Sequence, residues 1–466
     1  MPDFGCCMKF QSGQSTMLML VLSLVLMLTM VFVFNTSQLL SERQQAKMLA
    51  DHAAYATATR QARLLNLNAY INRTQIANQL AIAQAVSTGS WFKYAAKTSD
   101  NISTLTSFFP PVSAVFSNIG TGLDYAADLM TPYLVAYGYQ VKFLESAQQA
   151  LNLVSNATIL TAPQEFSDLT SEKGNSEYDV RLIATASVFP AQIIKQYTEK
   201  ERERMAQVVL SSADSFITNR SKNNIVPKIY VPTPGSIGTM RIHKAGGTEL
   251  VGLDEWKGVD TLSIHLQYKK LSKLKWKTYN EETPVGWGSA AGSSLGTDKA
   301  KNSGSYGGAS SVNPQARKYA ENNVPNYWDP RSSSTSLTGV GIPNFYELKD
   351  LKNTETVFSL LVSAKKSKNK IETVNRNSNL KISKDFTVLD NYDELEKGSV
   401  SNGDMQALTK AEVYFQRPWE MEVTAVSKSI NHEYGSLFSP YWQIRLTDDM
   451  DVSKRALVVA EAALLH

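Results

Sequence analysis

Few residues in this chain could do chemistry, and their surroundings argue against each. Gly292, Ser294 and Gly296 fit the Gly-x-Ser-x-Gly pattern, which in hydrolases raises a nucleophilic serine on a strained turn between strand and helix. Here the pattern sits in Gly/Ser-rich sequence with no flanking strand or helix, so Ser294, the only candidate nucleophile, lacks its frame. Gly286, Gly288 and Ala291 imitate a dinucleotide fingerprint, again without the strand–helix–strand unit that gives it meaning. The five histidines, His52, His243, His265, His432 and His466, are dispersed, and none pairs with another at i, i+4 beside a glutamate. The adjacent acids Glu281 and Glu282, or Asp448 and Asp449, would point to opposite faces of a strand. No catalytic, metal-ligating or cofactor-binding residue is expected, and the chain is not read as an enzyme.

The chain has 466 residues, of which 43% are hydrophobic, enough for more than one domain with a sizeable core. With 47 basic and 43 acidic residues, its balance excludes the strongly basic character of a dedicated nucleic-acid binder. Cys6 and Cys7 are the only cysteines and precede everything else of interest, so disulfides cannot staple the rest.

Residues 16–34 form an uninterrupted apolar run without charge, about as long as the roughly 20 residues needed to cross a bilayer. It ends in Asn35, Thr36, Ser37 and Gln38 rather than in a small-residue cleavage site, which favours an uncleaved anchor over a cleaved leader. Lys9 is the only basic side chain before the run, whereas Arg43, Lys47, Arg60 and Arg63 follow it. That bias alone points the wrong way. The long C-terminal part nevertheless predicts a cytoplasmic N-terminus, because long domains translocate largely regardless of charge.

Beyond the anchor the sequence has no Pro or Gly until Gly89 and is rich in Ala, Leu, Gln and Arg, which predicts a helical stalk over 35–90. Leu64, Leu67 and Ile71, then Ile76, Leu80 and Ala83, recur at helical spacing and mark a buried stripe. Ala50, Ala53, Ala54 and Ala58 are candidates for close helix packing, although alanine is also simply a good helix former.

Gly13 and Gln14 leading into the apolar run, followed by the alanine-rich block at 48–62, resemble the N-terminal signature of the TadE/TadG-like family of tight-adherence (Flp) pilus assembly proteins. The phrases GIPNFYEL, EVYFQRP and EYGSLFSPYWQIRL are similar to C-terminal regions of large members of that family. The resemblance implies an inner-membrane anchor, a periplasmic C-terminal part, and partners among other pilus or secretion-system proteins. It also makes Gly13 and Gln14 a candidate prepilin-peptidase cleavage point. Two departures stand out: Leu18 occupies the fifth position after Gly13, where pilin-like members carry glutamate, and no Asp-x-Ser-x-Ser metal-binding loop is present.

Residues 91–220 read as mainly helical, with breaks at Pro110, Pro111, Gly120, Gly138 and Pro163. From about Ile225 alternation takes over, as in Leu262, Ile264, Leu266 and Tyr268, and 225–450 reads as a β-rich domain. Gly/Ser-rich stretches at 286–311 and 331–343 read as long loops. Trp287, Trp328 and Trp442 are candidate interface aromatics, with a place in the core as the plainer alternative. The expected architecture is α+β: a cytoplasmic tail over 1–15, a single transmembrane helix over 16–34 continuing into the stalk, a helical middle region and a β-rich C-terminal domain. The expected role is a non-catalytic, single-pass component of a tight-adherence pilus or related secretion apparatus. It would touch inner-membrane lipid and assemble through its N-terminal helix, alone or as an oligomer, without nucleic acid. The alternatives are a peptidase-processed, pilin-like surface adhesin and a membrane-tethered hydrolase.

Overall fold

The computed structural model describes residues 12–159, 161–170, 178–183, 193–222, 225–233, 236–272, 275–293, 304–322, 341–349, 356–366, 405–417 and 435–447. Its axis is one helix, α1 (Ser12–Leu105), of 94 residues. At 1.5 Å per residue it extends about 140 Å. The chain then turns through Thr106 and Phe109, and α2 (Pro110–Asp128) starts on two prolines, which fit a first helical turn where no backbone N–H partner is needed. After α2 comes α3 (Met130–Thr158), and the two run back along α1, antiparallel to it and end to end. Ser103 of α1 meets Ser113, Lys93 reaches Asp124 and Asp128, Asn68 pairs with Asn152, and Arg60 reaches Thr158.

The remaining helices are α4 (Ala162–Thr170), α5 (Glu203–Ser212), α6 (Ser215–Thr218), α7 (Ala309–Val312) and α8 (Pro314–Asn322). The strands are β1 (Asp179–Ile183), β2 (Ile194–Tyr197), β3 (Ile229–Thr233), β4 (Ser236–Val251), β5 (Glu255–Ser272), β6 (Lys275–Ser293), β7 (Phe345–Leu348), β8 (Thr356–Lys366), β9 (Met405–Phe415) and β10 (Trp442–Thr447). Among the described residues all pairings are antiparallel: one sheet in the order β1-β8-β9-β10, a second in the order β3-β4-β5-β6, and the pair β2-β7. The fold is thus α+β, with a long apolar N-terminal helix, further helices and a β-rich C-terminal region.

Both four-stranded sheets pack on α1. Nearest the apolar stretch lies a core in which Ala46, Ala50, Ala54 and Leu65 of α1 meet Val180, Leu360, Val362, Val413 and Trp442. Farther along, Ile82, Ala83 and Val86 join Leu134, Met205, Trp256 and Phe345.

The structure departs from the sequence reading in several places. The helix runs through Gly89 to Leu105, because the turns after Gly89 are held by packing on β5 and β6, which outweighs the roughly 1 kcal/mol cost of a helical glycine. Residues 286–293 belong to β6 and not to a loop. Their glycines serve close approach: a Cβ on Gly286 would lie 1.8 Å from Thr98 Oγ1, and one on Gly288 would lie 2.1 Å from the Tyr94 nitrogen. Strand β6 rests almost directly on the α1 backbone, and side chains there would prevent it. Within the same Gly/Ser-rich stretch, a 3₁₀ turn and α7 occupy 306–312. Strands β1 and β2 lie inside 91–220, and each pairs with a strand from beyond residue 340. Of the stretch at 331–343, only 341–343 is described, and Ile342 there is buried.

Candidate functional site

Helix α1 is the candidate site, since it carries both the resemblance and most of the singled-out residues. Its first part is bare. The side chains from Met17 to Phe34 include sixteen large apolar residues left exposed, Val31 the least at 38% and Met17 and Met30 the most at 76%. Ser23 and Thr29 turn their hydroxyls back to the carbonyls of Leu20 and Leu26, so even the polar side chains in this stretch satisfy themselves locally. Among the described residues this is the one helix long and apolar enough to cross a membrane.

Past Asn35 the same helix becomes the spine of the head. Ala50, Ala53, Ala54 and Ala58 are fully buried, and the protein's own β-sheet is what comes close to them. Beside them Lys47 donates to the carbonyl of Leu408, and Tyr178 and Lys366 both donate to Glu42. A row of uncharged polar side chains then secures distant segments. Asn66 clamps Trp442, donating to its carbonyl at 3.1 Å and accepting from its N–H at 3.0 Å. Asn72 donates to the carbonyls of Tyr346 and Leu437. Gln79 donates to Gly341 and accepts from the Trp256 indole. The sequence reading missed this row. Its signal was present: Asn68, Asn72 and Gln79 recur at helical spacing, uncharged, where a solvated face would carry Lys and Glu; Gln61 and Gln75 share the face and are buried without making such a tie.

Higher on α1, Ser90 enters a buried charge cluster. Arg220 and Asp260 lie 2.8 Å apart with side chains 3% and 0% exposed, and Ser90 donates to Asp260 at 2.6 Å. Arg220 also donates to the Phe216 carbonyl and to Thr248. Every member points at another, which describes a structural tie rather than a reactive centre.

Gly13 and Gln14 lie in the first turns of α1. Trp442 is 3% exposed and lies in the core against Phe415. Trp287 is half-buried, stacked on Tyr319 at 5.0 Å with the Lys97 ammonium 5.4 Å from its ring. Trp328 and Ser294 lie outside the described residues. Two histidines far apart in sequence do meet: the rings of His243 and His265 are 5.0 Å apart across β4 and β5. Burial, then the neighbouring His265 and Arg241, push the His243 pKa below its ordinary value. His265 is engaged with Asn313 at 2.9 Å. Among the described residues no group of three or more His, Cys, Asp or Glu side chains could hold a metal ion.

These features define a class: a head built around the continuation of an exposed apolar helix suited to a bilayer. Residues 13–60 match a family model described as Flp pilus-assembly TadE/G-like. The N-terminal segment is thus similar to that family, and the match stops within α1, short of every strand. No curated protein and no solved structure matches the chain.

Proposed function

We propose that this protein is a non-catalytic, single-pass component of a tight-adherence (Flp) pilus or related secretion apparatus. In this reading α1 is anchored in the inner membrane with its first residues cytoplasmic, and the α+β head stands in the periplasm. The observation that carries the proposal is the division of α1: bare and apolar through Phe34, then buried as the spine of the head from Ala46 onward. A hydrophobic stretch of this kind, left exposed on a folded head, needs lipid or neighbouring helices around it. The family match over residues 13–60 supports the pilus context.

Intact mass and N-terminal sequencing of protein from fractionated native cells test the reading. An uncut chain in the inner membrane, copurifying with pilus components, is the expected result. A chain beginning at Gln14 and recovered from sheared surface filaments would replace it with the second reading, a processed pilin-like subunit. Recovery of the head in the cytoplasm would overturn both.

A further inference from the structure

Helix α3 carries two seams. Leu134, Val141, Gln148 and Ser155, spaced by seven, are buried, and this face lies on α1 through Asn152 to Asn68 and Gln148 to Asn72. On the far side a second series has the same period. Ala136, Phe143, Ala150 and Ala157 form one row, Tyr139, Ser146 and Leu153 the other, and all seven are exposed. Phe143 and Leu153 are each 70% exposed and Tyr139 57%. Two interleaved rows at a mean spacing of 3.5 residues make a coiled-coil seam, so the surface is shaped for another helix. Exposed Val115, Tyr125 and Leu129 continue the same alternation of three and four residues back along α2 and its junction with α3.

The occupant that fits is a second copy. Lys142 and Glu145 are the only charged residues in α3, so an identical helix meets almost no like-charge repulsion and no charge pattern selects a different partner. Anchoring through α1 gives every copy the same direction and the same height above the bilayer. Two α3 helices are then presented parallel and at one level, as a two-fold axis along the membrane normal requires. Confinement to the membrane also raises their effective concentration. Laid end to end, α2 and α3 span about 73 Å, and a strip about 10 Å wide on each copy amounts to roughly 1,500 Å² in total, above the ~1,000 Å² expected of a specific interface.

We infer that the outer face of α2 and α3 is a self-association surface, at which two copies pair side by side, parallel and in register around Phe143. The inference rests on the anchoring reading above. The test uses the full chain in native membranes with Cys6→Ser and Cys7→Ser, carrying a single cysteine introduced as Ser146→Cys or Ala150→Cys, under mild oxidation. Both are expected to give a covalent dimer, at least tenfold more than Gln207→Cys, an exposed position on α5. Phe143→Asp combined with Leu153→Asp changes only side chains exposed on the single chain, so it spares folding, and is expected to abolish the dimer from Ser146→Cys. Membrane-bound protein that stays monomeric, cross-links equally through Gln207→Cys, or joins a polypeptide of another mass overturns the inference and leaves the anchor intact. Recovery in the soluble fraction overturns the anchoring reading itself.

Discussion

Arg220 and Asp260 join three parts of the chain at one buried point: the segment after α6, strand β5 and, through Ser90, helix α1. An ion pair so placed is costly to break from one side, because the surviving charge is left in a low-dielectric interior. Asp260→Asn is expected to lower stability by about 3–5 kcal/mol, read from urea unfolding. Adding Arg220→Met should recover much of that loss, since no buried charge then remains. Glu347 behaves oppositely. Its side chain is fully buried, and desolvation raises its pKa above the ordinary glutamate value of 4.5, against the pull of Arg204 and the N–H groups of Leu437 and Leu348. The folded protein therefore binds this proton more tightly than the unfolded chain. The contribution of Glu347 to stability is present below the unfolded pKa and declines as pH rises through the folded one. Glu347→Gln is expected to flatten that decline, measured as the unfolding midpoint across a pH series starting near 4.

Glycines set the contact between elements. In β6, Gly288 faces backbone atoms of Ser90, Lys93 and Tyr94, which cannot swing aside as a flexible side chain would. Gly288→Ala is expected to cost 1–3 kcal/mol or more through overpacking at the α1 contact. Gly122 in α2 has nothing within 4 Å of an added Cβ, so Gly122→Ala should stabilise by up to about 1 kcal/mol. Paired urea titrations of the two variants check both signs. The same contact explains how far the elements were legible in the sequence. The apolar run and the alternation in β5 announce themselves by local periodicity. Gly286 and Gly288 mislead, because strand propensity counts glycine against a strand and is blind to the helix lying on it. The pairing of β1 with β8 spans residues about 180 apart in sequence, and nothing local in Asp179–Ile183 specifies its partner. At the candidate site, Ala50, Ala53, Ala54 and Ala58 read equally as a seat for a neighbouring helix and as plain helix formers, and the sheet that covers them was not legible.

As a whole, the molecule is a head threaded on the extension of its own exposed apolar helix. If residues 16–34 hold it in lipid, alkaline carbonate should leave the full chain in the membrane pellet. A chain beginning at Ser37 should move to the supernatant while keeping its cooperative unfolding, because every core cluster lies beyond that point. The placement of α1 also imposes a schedule. Lys47 bonds to Leu408, 361 residues later, and Asn66 to Trp442, 376 residues later. At about 5–20 residues per second, synthesis between the two ends of such a contact takes roughly 20–70 s. During that interval the alanine face of α1 is already made, while β9 and β10, which will cover it, do not yet exist. The newborn chain waits with its spine bare, and whatever receives it must shield that face until the last strands arrive.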